Sequence, residues 1–212
     1  MLGKRCFIVG AGDYSNNFTP GQGDFVIVAD AGYTELVTRG IVPDLVVGDF
    51  DSLGRAPDHP NVLHSPAEKD DTDMMLAIKE ALRRGFKKFI IDGGLGGRMD
   101  HTMANMQALV HIASSGAQGA LLGRDMNVTA VVNGSVGFLP GASGIVSVFS
   151  AGSKADGVTL KGLKYPLDNA QLSCDYPIGA SNEFTGSQAT ISVSAGALII
   201  MWDGSPEILS WI

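Results

Sequence analysis

Leu45-Val46-Val47-Gly48-Asp49-Phe50-Asp51-Ser52 joins three aliphatic residues to a pair of carboxylates one residue apart. A compact apolar run of this kind reads as a strand covered on both faces, and its polar ending marks where the chain leaves the sheet. In an extended backbone, side chains two apart project to the same side. Asp49 and Asp51 are therefore expected to present several oxygens to one point, as a hard cation requires. A solvated turn is the plainer alternative, because Gly-Asp and Asp-Ser pairs are common in loops.

Two earlier stretches have the same form. Arg5-Cys6-Phe7-Ile8-Val9 runs into Gly10-Ala11-Gly12-Asp13, and Phe25-Val26-Ile27-Val28-Ala29 runs into Asp30-Ala31-Gly32 and a short helix from about Tyr33 to Arg39, closed by Gly40. Apolar strands that end in Gly or Asp, some followed by helical patterns, predict a parallel α/β sheet. Ligands of such sheets bind beyond the carboxyl ends of the strands, where Asp30, Asp49 and Asp51 fall. The Gly10-x-Gly12 pair lacks the third glycine of a dinucleotide loop, since position 15 is Ser, and no Gly-Lys-Ser/Thr loop occurs. A bound nucleotide is expected to be held differently from either standard phosphate loop.

After a short Val62-Leu63-His64 strand, Glu68-Lys69-Asp70-Asp71-Thr72-Asp73 leads into an amphipathic helix that carries Met74, Ala77, Ile78, Ala81 and Leu82 on one face and stops at Gly85. One Asp or Thr is enough to cap this helix, whereas three aspartates together repel unless something positive lies near; Lys69 is one such group. Lys88-Phe89-Ile90-Ile91-Asp92 is a further strand, followed by Gly93-Gly94-Leu95-Gly96-Gly97-Arg98-Met99-Asp100-His101. The glycines expose backbone N–H groups as an anion cradle, and Arg98 adds a cationic fork suited to phosphate oxygens. Asp100 is expected to cap the next helix, which runs to about Ser114. His101, beside the acidic cluster, is a lesser candidate.

With 212 residues, 45% of them hydrophobic and 17% charged, the chain reads as a soluble globular protein large enough for a substantial core. Its 28 glycines predict many tight turns, and a net charge of −7 argues against nucleic acid as the main partner. No stretch reads as a signal peptide or a membrane span, which makes the cytoplasm the expected location. Cys6 and Cys174 lie far from any second cysteine or histidine at ligand spacing, so buried free thiols are expected rather than zinc. Beyond Gly119–Asp125 helical periodicity gives way to short alternating segments: Asn127–Val132, Ile145–Phe149, Val158–Leu160, Gln171–Leu172, Ala189–Val193 and Ala197–Trp202. This pattern predicts an antiparallel sandwich or barrel and places a boundary near residue 126.

Val46-Val47-Gly48-Asp49-Phe50-Asp51-Ser52, Lys69-Asp70-Asp71-Thr72-Asp73 and Gly96-Gly97-Arg98-Met99-Asp100-His101 with Asn105, in this order and spacing, closely resemble the thiamine pyrophosphokinase family. Ser181-Asn182-Glu183-Phe184-Thr185-Gly186 resembles that family's substrate-side motif. The match covers nearly the whole chain, with Ala31 standing where the family commonly has glycine. The resemblance implies an α/β, mostly parallel, Rossmann-like catalytic domain over residues 1–125 that binds ATP and Mg²⁺. It further implies a β-sandwich over 126–212 for thiamine binding and dimerisation, and a homodimer whose active sites lie at the subunit interface. The implied reaction moves the pyrophosphoryl group of ATP to the hydroxyl of thiamine, giving thiamine diphosphate and AMP. On this resemblance Asp49, Asp51, Asp73 and Asp100 hold magnesium, with Arg98 as a further catalytic residue. Lys69, Gly96, Gly97 and Arg98 bind the triphosphate, Asp30 and Thr72 orient the nucleotide, and Ser181 and Asn182 contact thiamine. The aromatic residue that stacks on thiamine in some members has no assigned counterpart; Trp202 lies near.

Three other readings compete. They are a pyrophosphokinase acting on a hydroxymethylpterin, a metal-dependent phosphohydrolase, and a nucleotide- or thiamine-binding regulatory module without turnover. So many mutually repelling acids argue against simple binding.

Overall fold

The computed structural model describes residues 4–15, 19–50, 57–65 and 70–212. Asp51 and Lys69 lie outside the described residues. The apolar runs become the parallel strands β1 (Cys6–Val9), β2 (Phe25–Ala29), β3 (Leu45–Gly48), β4 (Val62–His64) and β5 (Lys88–Asp92). β1 lies between β2 and β5, with Val9 opposite Val28 on one side and Asp92 on the other, while Ala29 lies opposite Val47. The strand ends are therefore level, and Gly10, Asp30, Gly48 and Gly93 all emerge along one edge of the sheet.

The central strands are apolar on both sides because both sides are covered. Cys6, Ile8, Ile27, Val47, Phe89 and Ile91 face α2 (Asp73–Arg83) and α3 (Met99–Ser114), whereas Phe7, Val9, Val28 and Val46 share the opposite core with Leu36 of α1 (Gly32–Thr38). Thr72 caps α2, its hydroxyl accepting the Met75 N–H at 3.1 Å, and Gly85 follows the helix at φ +89°. Asp100 does not cap α3, contrary to the sequence expectation. The N-cap position belongs to Arg98, and the Asp100 carboxylate accepts the N–H of its own neighbour His101. Cys6 is buried, and burial pushes its thiol far up, but Cys174 is exposed just past a strand end and corrects the expectation of two buried thiols.

In the last turns of α2, Arg83 and Arg84 both bond Glu80, at 2.8 and 2.7 Å. These bonds, Arg83's foremost, hold the Glu80 carboxyl down to about 2 from its ordinary 4.5. A depressed carboxyl stabilises the fold above its unfolded value and loses that contribution as pH falls through its folded value. Glu80→Gln should therefore cost about 0.5 kcal/mol at neutral pH. In urea titrations the gap between wild type and variant should close as pH drops from about 4.5 to about 2; a gap that persists at the acid end would assign it to another cause.

The change of grammar near residue 126 is a change of strand direction. β6 (Gln118–Leu121) pairs in parallel with β5, and β7 (Asn127–Val132) then turns back antiparallel to β6, with Ala120 opposite Thr129. β14 (Ala197–Trp202), β9 (Ile145–Ser150) and β12 (Asn182–Glu183) extend the same sheet. Among the described residues its order is β12-β9-β14-β7-β6-β5-β1-β2-β3-β4. A second sheet, ordered β11 (Leu167–Ser173), β10 (Lys154–Lys161), β13 (Ala189–Ser192), β8 (Ser135–Phe138), completes a β-rich second part. The expectation thus holds as a mixed sheet with helices followed by a β-rich region, but the hydrogen-bonded ladder runs through residue 126 without a break.

The interior between the two sheets includes Phe138, Phe184, Ile200 and Trp202. Trp202 is completely buried, packs edge-on against Phe138 at 5.5 Å and donates its indole N–H to the Ser205 carbonyl at 3.3 Å. Its ring is a core element and has no face open to a ligand. Among the described residues no helix is long and apolar enough to cross a membrane.

Candidate active site

A cleft of about 350 Å³ opens where the strands β1, β2 and β5 end. Its floor is two glycine turns in backbone contact. Gly10 donates to the Asp92 carbonyl at 2.8 Å, Gly12 to the Gly93 carbonyl at 2.7 Å and Asp13 to the Leu95 carbonyl at 2.8 Å. A methyl group on Gly10 would meet the Gly93 oxygen at 2.6 Å, and one on Gly12 the Leu95 oxygen at 2.5 Å. Only glycine permits this approach. Gly96 and Gly97 follow at φ +75° and +59°, two successive left-handed residues that lead into α3. Asn105, buried on α3, holds this turn by donating to the Gly94 carbonyl at 2.7 Å.

Acidic groups enter from two sides. Asp30 caps the end of β2 in a left-handed conformation, φ +46°, which aspartate tolerates better than most residues, and lies against Gly48 of β3. Asp73 opens α2, where the helix dipole favours a carboxylate, and accepts the Ser65 hydroxyl at 3.1 Å. Asp30, Thr72 and Asp73 line the cleft together with Gly96, Gly97, Arg98 and His101. The rest of the acidic run is partly compensated by a cation that sequence reasoning missed: Lys79, one helix face away, bonds Asp71 at 2.6 Å.

The extended backbone expected to carry Asp49 and Asp51 stops short of them. β3 ends at Gly48, and Phe50 is left-handed at φ +62°, buried, with its ring edge-on to His64 at 5.3 Å. Strand alternation therefore applies only as far as Gly48, and Asp51 lies outside the described residues. Asp49 is half-buried and outside the cleft lining. Asp100 also lies outside the lining: its carboxylate is paired with Arg98 at 2.6 Å, and that guanidinium holds it down to about 2. Among the described residues no three His, Cys, Asp or Glu side chains converge as a metal cage.

Ser181 and Asn182 sit elsewhere. β12 is the far edge of the long sheet, five strand steps from β5, or about 24 Å at the usual strand spacing. The Asn182 amide is occupied there, donating to the Tyr165 carbonyl at 2.7 Å and accepting the N–H groups of Tyr165 and Glu183. Ser181, at φ +57°, donates its N–H to the Ser147 hydroxyl at 3.0 Å. Within one chain neither residue reaches the cleft. Gly10, Ala11, Gly12 and Gly94 do line it. The signal for the first three was the Gly10-Ala11-Gly12 turn itself, set aside because it fits neither standard phosphate loop.

Comparison with known proteins matches the same two regions. The description "Thiamin pyrophosphokinase, catalytic domain" covers residues 21–120, and "Thiamin pyrophosphokinase, vitamin B1 binding domain" covers residues 139–198. The chain is 31% identical over 189 residues to a thiamine pyrophosphokinase of Bacillus subtilis, spanning 82% of this chain and 85% of the relative. It is 28% identical over 200 residues to thiamin pyrophosphokinase 1 of Caenorhabditis elegans, spanning 88% and 80%. The crystal structure of a thiamin pyrophosphokinase family protein from Enterococcus faecalis superposes with a TM-score of 0.82 at 30% identity, covering 95% of this chain and all of that one. The class these matches define is a kinase-type enzyme with a mixed sheet and a β-rich second part. The chain belongs to the thiamine pyrophosphokinase family.

Proposed function

We propose that this protein moves the β,γ-diphosphate of ATP to the hydroxyl of thiamine. The thiamine oxygen bonds to the β-phosphorus, the bond from that phosphorus to the bridging α,β-oxygen breaks, and AMP leaves with the electron pair while the hydroxyl gives up its proton. The observation that carries this reading is the glycine-floored cleft, which brings Asp30, Thr72, Asp73 and Arg98 together within the stretch that matches the catalytic-domain description. Glycine turns let phosphate oxygens approach the backbone closely, and Arg98 offers them a charged fork. Lys69 is assigned to the same phosphates, and Asp30 and Thr72 to orienting the nucleotide.

The donor set suits Mg²⁺ rather than a caged metal. Mg²⁺ needs only one or two carboxylates and otherwise takes water and phosphate oxygens, so a cleft with Asp73 and Asp30 at its rim fits an ion that arrives with the nucleotide. Asp73, in the cleft wall, would hold it, with Asp49, Asp51 and Asp100 assigned to it directly or through water. When bound, the ion would neutralise charge on the transferring phosphates. Once the triphosphate engages Arg98, Asp100 loses its present partner and its carboxylate becomes available to the site.

The remaining parts of the reading concern assembly. An α/β Rossmann-like domain over 1–125 carries the ATP side, and a β-sandwich over 126–212 carries thiamine binding and dimerisation. The separation of Ser181 and Asn182 from the cleft of their own chain supports a homodimer in which each active site lies at the subunit interface. The Asn182 amide then acts by fixing the Tyr165 backbone. A cytoplasmic setting, rich in ATP and magnesium, suits this chemistry. The kinship does not favour the pterin or non-catalytic readings.

Incubation with ATP, Mg²⁺ and thiamine should yield AMP and thiamine diphosphate by mass; phosphate release without a diphosphorylated alcohol would defeat the proposal. Arg98→Ala should raise the KM for ATP about tenfold, as loss of a charge-assisted contact implies, with thiamine KM little changed. Unaltered ATP kinetics would remove Arg98 from phosphate binding.

A further inference from the structure

Beneath the cleft floor, outside its lining, lies a carboxylate that the proposed chemistry does not use. Asp92 ends β5 and is fully buried, where a carboxylate persists only with strong partners. One oxygen, Oδ1, accepts the N–H of Ser15 at 2.8 Å and the N–H of Gly93 at 3.0 Å. The other, Oδ2, faces the Arg39 guanidinium at 3.6 Å. Its backbone carbonyl takes the N–H of Gly10 at 2.8 Å. Asp92 thus grips both ends of the first glycine turn, at Gly10 and Ser15, and the start of the second at Gly93.

The surroundings reinforce the joint. Arg39 also pairs with Glu35 and lies over the Tyr14 ring at 5.4 Å, and the Tyr14 hydroxyl donates to the Gly10 carbonyl at 3.0 Å. The two turns already touch backbone to backbone at Gly10, Gly12, Gly93 and Leu95, so a shift in one displaces the other. Burial holds the Asp92 carboxyl above the ordinary carboxylate range, opposed by the Ser15 and Gly93 N–H groups and Arg39.

We propose that Asp92 is a positioning residue for the ATP reaction, its carboxylate tying the Ser15 end of the first glycine turn to the Gly93 start of the second at the spacing that receives the triphosphate. This inference rests on the reading of the cleft as the ATP site. Misplacing a binding surface by about an ångström is enough to weaken productive binding many-fold. Sequence alone shows Asp92 only as the polar end of a strand.

The test compares steady-state kinetics of wild type, Asp92→Asn, Asp92→Ala and Arg39→Met. Asp92→Asn keeps an acceptor for both N–H groups and should leave KM for ATP within about threefold; Asp92→Ala strands them and should raise it about tenfold. KM for thiamine should stay within about twofold throughout, since Asp92 serves the ATP turns alone. Arg39→Met, at a partly exposed side chain, provides the second reading if Asp92→Ala does not fold: it should raise KM for ATP about threefold while sparing thiamine. Unchanged ATP KM in Asp92→Ala, or in Arg39→Met where that variant stands in, would overturn the inference. Equal damage to both substrates, or an Asn variant as impaired as Ala, would do so too. Failure of the wild type to turn over ATP and thiamine would instead remove the functional reading beneath it.

Discussion

Asp73→Asn is expected to lower Mg²⁺-dependent formation of AMP from ATP and thiamine by about a hundredfold or more, the scale seen when one group that stabilises developing charge is removed. The fold should survive. Asparagine keeps an oxygen for the Ser65 hydroxyl and remains acceptable at the first turn of α2, so only the charge facing the helix dipole is lost, about 0.3–1 kcal/mol. Circular dichroism and thermal melting of the variant would confirm that, and turnover within about threefold of wild type would place the metal and phosphate chemistry elsewhere. The prediction is sharper at Asp73 than at Asp51, because Asp73 is placed in the cleft wall.

Trp202→Ala should destabilise the protein by about 3–5 kcal/mol, as removal of a large buried ring does. The ring fills the interior between the two sheets against Phe138, and its N–H is already spent on the Ser205 carbonyl. Chemical denaturation measures this loss. A cost below about 1 kcal/mol would be incompatible with the observed packing. Kinetics of the folded fraction would show whether thiamine recognition suffers separately; a core residue predicts that it does not.

The parts of this fold that sequence revealed are those with one dominant cause. β1, β2, β3 and β5 are short aliphatic runs because helices or the second sheet cover both faces, and α2 announced itself through spacing, cap and closing glycine. β6 and β8 were not recognised. Gly119 interrupts the first because Leu109 and Ile112 of α3 press on the place a side chain would fill, and Gly137 sits similarly against Ser210 in the second. Local pattern carries no trace of such long-range crowding. Phe50 shows the same limit in the candidate site. A phenylalanine between two aspartates reads as extended, whereas here its left-handed backbone accompanies burial of the ring against His64, a tertiary contact that local pattern does not show. The acidic motifs were legible as residue types in order. What the sequence did not contain was their aim: Asp100 toward Arg98, Asp71 toward Lys79 and the Asn182 amide toward Tyr165.

The unbroken ladder from β5 through β6 to β7 has a mechanical meaning. Two halves joined by a flexible linker can close on a substrate like a jaw, but two halves sharing one hydrogen-bonded sheet cannot swing without tearing strands apart. Accommodation of a nucleotide therefore falls to the loops along the carboxyl edge, while the scaffold below stays stiff. Cutting the chain near residue 126 would leave each piece with a raw strand edge, which invites aggregation. Heat should loosen the α/β and β-rich portions as one cooperative body.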